Sequence, residues 1–125
     1  MKLNSFRLRN VFAAVLIAGA VATLALAHNK LVKSAPAAGA ALKTSPARVE
    51  MWFAEKPDPA VSQIAVKGPA GAVDIGPVHA SAATSIAADF KGKLAAGQYA
   101  VSWQTAGDDG HMSKGDFSFS VKSAQ

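Results

Sequence analysis

Downstream of residue 27 no stretch of useful length repeats its apolar residues at helical spacing. They alternate with polar ones instead, and Gly, Pro, Ser or Asp breaks the pattern at intervals of roughly ten residues. A period of two sends successive side chains to opposite faces, so each run offers one face to a core and one to water. Residues 48–53 read as a strand with Val49, Met51 and Phe53 on one face, and residues 63–67 as another, closed by Gly68-Pro69. Residues 73–78 form a weaker run, broken at Gly76-Pro77, and residues 83–90 a short strand. The best-formed run, residues 97–105, places Tyr99, Val101 and Trp103 together, and residues 116–122 end the pattern with Phe117, Phe119 and Val121 inward. The Ala-rich stretch 34–42 contains Pro36 and Gly39 and is followed by Pro46, so it reads as an extended strand edge and loop, not a helix. Six or seven short strands predict an all-β fold, a small antiparallel sandwich.

The segment before this pattern is of another kind. Lys2, Arg7 and Arg9 precede an uncharged apolar run, residues 11–26, which ends in Ala25-Leu26-Ala27. This is the basic, apolar and small-residue order of a secretory leader. The run is short against the roughly 20 residues that a membrane span needs, so cleavage after Ala27 is expected, not anchoring. The chain then divides into a leader, residues 1–27, and one domain, residues 28–125, expected to be secreted as a soluble protein. Of the 125 residues, 98 remain after cleavage, and the loss of Lys2, Arg7 and Arg9 lowers the formal charge from +5 to +2. The remaining lysines are scattered without interleaved aromatics, which removes the case for nucleic-acid binding.

With no cysteine, the fold has no disulfide and no thiolate nucleophile or metal ligand. No Gly-x-Ser-x-Gly motif or phosphate loop is present. Three histidines remain. His28 would become the first residue after cleavage, and its α-amine and imidazole could close a chelate ring on a metal. The amine must be unprotonated to bind, and its reference pKa of about 7.7–8.0 makes that reachable near neutrality. Taken alone, a frayed terminus explains His28 as well. The second place is Asp108-Asp109-Gly110-His111. Asp-Gly is turn chemistry, but a carboxylate and an imidazole on either side of a glycine can also converge on one point. Spacing alone does not separate Asp108 from Asp109. Two imidazoles, an amine and a carboxylate form a tetragonal N,O set that suits Cu(II). His79 has no carboxylate or methionine nearby in sequence and reads as a surface or turn residue. Met51 reads as core, Met112, next to His111, as either grazing the site or packing, and Glu50, Glu55 and Asp58 as a solvated edge and loop.

The chain after residue 27 resembles the CopC family of periplasmic copper-binding proteins. The resemblance is carried by His28-Asn29-Lys30-Leu31-Val32-Lys33-Ser34-Ala35-Pro36, by Trp52-Phe53-Ala54-Glu55, and by residues 97–121 including Asp108-Asp109-Gly110-His111. It implies an immunoglobulin-like or cupredoxin-like Greek-key β-sandwich or barrel that binds one Cu(II) per chain. Carried over by position, it implies His28, Asp109 and His111 as metal ligands, favours Asp109 over Asp108, and makes Glu55 either a residue steadying the amine or a further ligand. It further implies a role in buffering, carrying or transferring copper, with an inner-membrane transporter of the CopD type as a partner. Some members add a Met-rich loop for Cu(I). Here only Met51 and Met112 remain after cleavage, far apart in sequence, so no separate Cu(I) site is expected.

Two other classes share parts of this pattern. Copper-dependent polysaccharide monooxygenases also use an N-terminal His with a second His, but need an open coordination position that Asp109 would fill. A sandwich interaction module with incidental histidines predicts no stoichiometric copper uptake.

Overall fold

The computed structural model describes residues 29–123. The expected leader and His28 lie outside the described residues, as do residues 124–125. The described chain folds into strands β1 (Leu31–Ala35), β2 (Ala41–Leu42), β3 (Arg48–Phe53), β4 (Gln63–Gly68), β5 (Gly71–Ala72), β6 (His79–Ala80), β7 (Ser85–Asp89), β8 (Gly97–Ala106) and β9 (Met112–Val121). A single 3-10 turn, Pro59–Val61, is the helical element among the described residues. No helix among them is long and apolar enough to cross a membrane.

The strands form two sheets, ordered β1-β3-β7-β6 and β2-β9-β8-β4-β5. The all-β sandwich is as expected, with two differences in detail. Nine strands are present among the described residues, because β2, β5 and β6 are two-residue pairings too short to show alternation. The pairing is also not wholly antiparallel, since β2 runs parallel to β9 through Ala41↔Ser120 and Leu42↔Val121. The weak run at 73–78 is not a strand. Val73 extends the β4 ladder by donating to the Val66 carbonyl, and Ile75 forms an isolated bridge to Phe90. Pro77 has no N–H to offer a ladder.

The two sheets bury the faces that alternation selected. Val49, Met51 and Phe53 of β3 and Ile86 and Ala88 of β7 meet Val66 of β4, Tyr99, Val101 and Trp103 of β8 and Phe117, Phe119 and Val121 of β9. Phe53 meets Trp103 edge to face with centroids 5.0 Å apart, and Tyr99 stacks on Phe119 at 5.3 Å. Trp103 lies over Gly115, where an added Cβ would come within 2.7 Å of the indole ring. Phe119 is 1% exposed, so Phe119→Ala is expected to cost about 3–5 kcal/mol of stability. Urea unfolding of the variant would read this directly.

Alternation does not reveal what happens on the outer face of the first sheet. Glu50 is not on a solvated edge: it is 8% exposed and accepts a 2.7 Å hydrogen bond from the Ser85 hydroxyl. Arg48 Nε stands 3.9 Å from its other oxygen. A buried carboxylate is tolerated when hydrogen-bonded and paired, and small Ala87 lies opposite it in the register.

Candidate metal centre

β8 and β9 form an antiparallel hairpin of ten residue pairs whose last pair is Ala106↔Met112. The connection, residues 107–111, therefore projects from one end of the sandwich. Its turn closes through the Gly110 N–H, which donates to the Gly107 carbonyl at 3.0 Å. Gly110 has φ of +75°, a left-handed conformation that favours glycine. Asp109 then ties down the residue beyond the turn. Its Oδ1 accepts the His111 backbone N–H at 3.0 Å, and its Oδ2 lies 3.2 Å from His111 Nδ1. A carboxylate beside Nδ1 fixes the ring orientation.

Asp108 lines a hollow of about 470 Å³ together with Lys56, Pro57 and Asp58. The two acids that sequence spacing left equivalent are thus distinguished by geometry, since Asp109 contacts the imidazole.

The start of the described chain arrives at the same end. β1 pairs with β3 from Leu31↔Phe53, and the ladder runs one step further, with the Ala54 N–H donating to the Lys30 carbonyl at 2.9 Å. At the following step a side chain takes over: the Glu55 N–H donates to Asn29 Oδ1 at 2.9 Å. Asn29 is 3% exposed, and its Nδ2 is buried with no hydrogen-bond partner among the described residues. An orphaned buried donor of this kind costs about 1–3 kcal/mol. Gly107 is where these pieces meet. A Cβ there would lie 2.9 Å from Glu55 Oε2 and 3.6 Å from Asn29 Nδ2. A bare glycine lets the Glu55 carboxylate and the Asn29 amide close on the root of the loop. A further tie, the Asp58 N–H to the Ala106 carbonyl at 3.0 Å, holds the segment after Glu55 against β8.

The structure thus brings Asp109, His111 and Glu55 to one end of the sandwich, beside the residue that follows His28. Among the described residues no group of three His, Asp or Glu side chains is close enough to hold a metal ion. His79 is elsewhere, on β6, with Nε2 3.9 Å from Asp89 Oδ2. Met51 is fully buried in the core, and Met112 opens β9 with 50% exposure. Asp58 caps the 3-10 turn by accepting from the Ala60 N–H at 3.0 Å. Sequence reasoning missed Asn29. An amide side chain directly after His28 was the available signal, but its partner is 26 residues away.

Fold and site together define a class: a small two-sheet β-sandwich carrying an oriented carboxylate–imidazole pair on a hairpin loop beside its N-terminal strand. The CopC domain matches residues 31–122. The chain belongs to the CopC family. It is 33% identical over 133 residues to copper resistance protein C of Pseudomonas syringae pv. tomato, covering 98% of this chain and all of that protein. It is 32% identical over 118 residues to copper resistance protein C of Xanthomonas campestris pv. juglandis, covering 86% of this chain and 91% of that protein. Among solved structures it is similar to CopC from Methylosinus trichosporium OB3b, with TM-score 0.71 and 28% identity over 78% of this chain and 97% of that one. It is also similar to PcoC, a methionine-rich copper resistance protein from Escherichia coli, with TM-score 0.70 and 26% identity over 77% of this chain and all of that one.

Proposed function

We propose that this protein, once cleaved after Ala27, is a periplasmic carrier that holds one Cu(II) through the α-amine and imidazole of His28, the His111 imidazole and the Asp109 carboxylate. Its membership of the CopC family makes it a copper-binding protein of copper resistance and not an enzyme. The finer assignment rests on one observation above others. Asp109 holds His111 by both its backbone N–H and its Nδ1, on a loop whose root packs against Glu55 and Asn29.

The residues fit the metal. Nitrogen and carboxylate donors without thiolate suit Cu(II). With Nδ1 unprotonated, His111 would offer copper the lone pair that faces the Asp109 carboxylate. Asp109 Oδ2 and His111 Nδ1 face each other at 3.2 Å, close enough for both to bind one ion between them. Glu55, beside Gly107, is placed to steady the amine as an outer partner. Copper held in this way is cargo, and the proposed acceptor is an inner-membrane transporter of the CopD type.

The test is a Cu(II) titration of the protein beginning at His28, followed by electron paramagnetic resonance. One equivalent with a tetragonal spectrum and nitrogen couplings is expected. An absence of tight binding would overturn the reading in favour of a sandwich that has kept its fold without the metal.

A further inference from the structure

Three stretches of chain that are remote in sequence meet at the end of the sandwich where β8 begins and β9 finishes. The Ser45 hydroxyl accepts the Leu94 N–H at 2.8 Å, which ties the turn after β2 to the loop before β8. The Lys122 N–H donates to the Leu42 carbonyl at 2.8 Å and draws the residue after β9 to the same place. The Ala95 carbonyl accepts the Tyr99 hydroxyl at 2.6 Å, so the loop is also pinned to the core. These stretches enclose a hollow of about 450 Å³, and each brings one lysine to it: Lys43, Lys93 and Lys122, all exposed. No acid lines the hollow. None of the three ammonium groups is paired with a carboxylate among the described residues.

Like charges around one hollow repel each other, and an anion placed among them removes that repulsion. The hollow adds hydroxyl donors from Thr44 and Ser45, beside half-buried Leu94 and exposed Ala95 and Ala96. Ammonium and hydroxyl donors match phosphate oxygens, and exposed apolar carbon at the rim matches a lipid interface better than a free inorganic ion. The other end of the domain has the opposite character. Glu55, Asp58, Asp108 and Asp109 are exposed there around the hairpin loop, and Lys30 and Lys56 offset them only in part. The ten-pair ladder of β8 and β9 sets the two ends about 30 Å apart, well beyond the distance over which physiological salt screens a charge. An anionic surface therefore attracts one end and not the other.

We propose that this lysine-rimmed end docks the domain on a membrane containing anionic phospholipid, with a headgroup phosphate in the hollow and the Asp109–His111 loop directed away from the bilayer. Lysine stems lie along the interface while their ammonium groups reach phosphates. Each lysine near an anionic surface contributes about fivefold to partitioning, so the three together give roughly 100-fold. The attachment is reversible and weakens with salt. It does not rest on the Cu(II) reading, since none of its residues is a proposed ligand.

The experiment is co-sedimentation of the protein beginning at His28 with vesicles of phosphatidylglycerol and phosphatidylcholine, and with phosphatidylcholine alone, at low and high salt. Beginning at His28 keeps the apolar run of residues 11–26 out of the assay, and the core strands start only at Leu31. Binding to the anionic vesicles alone is expected, and high salt should abolish it. The triple variant Lys43→Gln, Lys93→Gln, Lys122→Gln should bind roughly 100-fold more weakly. A second triple variant, Lys30→Gln, Lys56→Gln, Lys114→Gln, removes the same charge nearer the hairpin loop and should stay within about threefold of the unaltered protein. All six lysines are exposed, so circular dichroism should show both variants folded. A nitroxide on the lipid headgroups should broaden the amide signals of Thr44, Leu94 and Lys122 and spare that of Gly110.

Equal losses in the two variants would mean that net charge alone drives binding, and would overturn the proposal. Binding to anionic vesicles no stronger than to neutral ones would overturn it as well. Saturable shifts of the Thr44 and Leu94 amides with inorganic phosphate, without vesicle binding, would assign the hollow to a free anion and remove the membrane from it.

Discussion

A single residue placed before His28, or retention of the leader, should weaken Cu(II) binding by roughly 10²- to 10⁴-fold. The physical reason is the loss of a chelate, not of a charge. An amine at the chain terminus has a lone pair for the metal once it is deprotonated. The same nitrogen inside a peptide bond has that pair delocalised into the carbonyl. The His28 imidazole would survive the extension, but its partner within the chelate ring would not, and binding would lose the high effective concentration of a second donor on the same residue. Competition against a chromophoric chelator would measure the change, and the spectrum should show one nitrogen fewer. The fold should be untouched, because the core lies between strands that begin at Leu31. Affinity equal to that of the protein beginning at His28 would remove the amine from the ligand set. The effect also has a pH signature. Protons compete for the amine, so affinity in the cleaved protein should rise through the reference range of about 7.7–8.0. The extended protein should lack that part of the rise.

Where one face of a strand is buried, the sequence was legible. Val49, Met51 and Phe53, then Tyr99, Val101 and Trp103, then Phe117, Phe119 and Val121 all face the core as their spacing predicts, since a slip of one residue would expose the whole set. Three kinds of feature escaped. Two-residue strands such as β2 and β6 contain too little chain to show a period, and their pairing is decided by neighbours distant in sequence. Glu50 sits on the polar side of its strand, where alternation predicts water. Its burial follows from Ser85, 35 residues away. At the metal centre, spacing identified the Asp-Gly-His grouping but left Asp108 and Asp109 equivalent. The turn through Gly110 folds Asp109 onto His111, while Asp108 lines a hollow together with Lys56 and Pro57. Asn29 was quoted only as part of a matching stretch, because its role exists only when Glu55 is brought beside it.

His111→Ala provides the second large effect, and His79→Ala is its control. His111 is the one histidine among the described residues held by a carboxylate of its own loop, with Asp109 Oδ2 3.2 Å from Nδ1. Truncation removes a nitrogen donor and leaves Asp109 to orient only the backbone N–H. The expected loss of Cu(II) affinity exceeds the 10- to 100-fold typical of an outer partner, because a ligand itself is gone. The spectrum should lose one nitrogen coupling and move toward oxygen-rich parameters as water fills the position. Stability should hardly change, since the His111 side chain is 66% exposed and exposed positions of this kind contribute within about 0.5 kcal/mol. His79 faces Asp89 on β6, within the other sheet, so His79→Ala should bind copper as the parent does. Equal losses in the two variants would mean that copper is not held at the hairpin loop. A loss in His79→Ala alone would move the site to the β6–β7 edge.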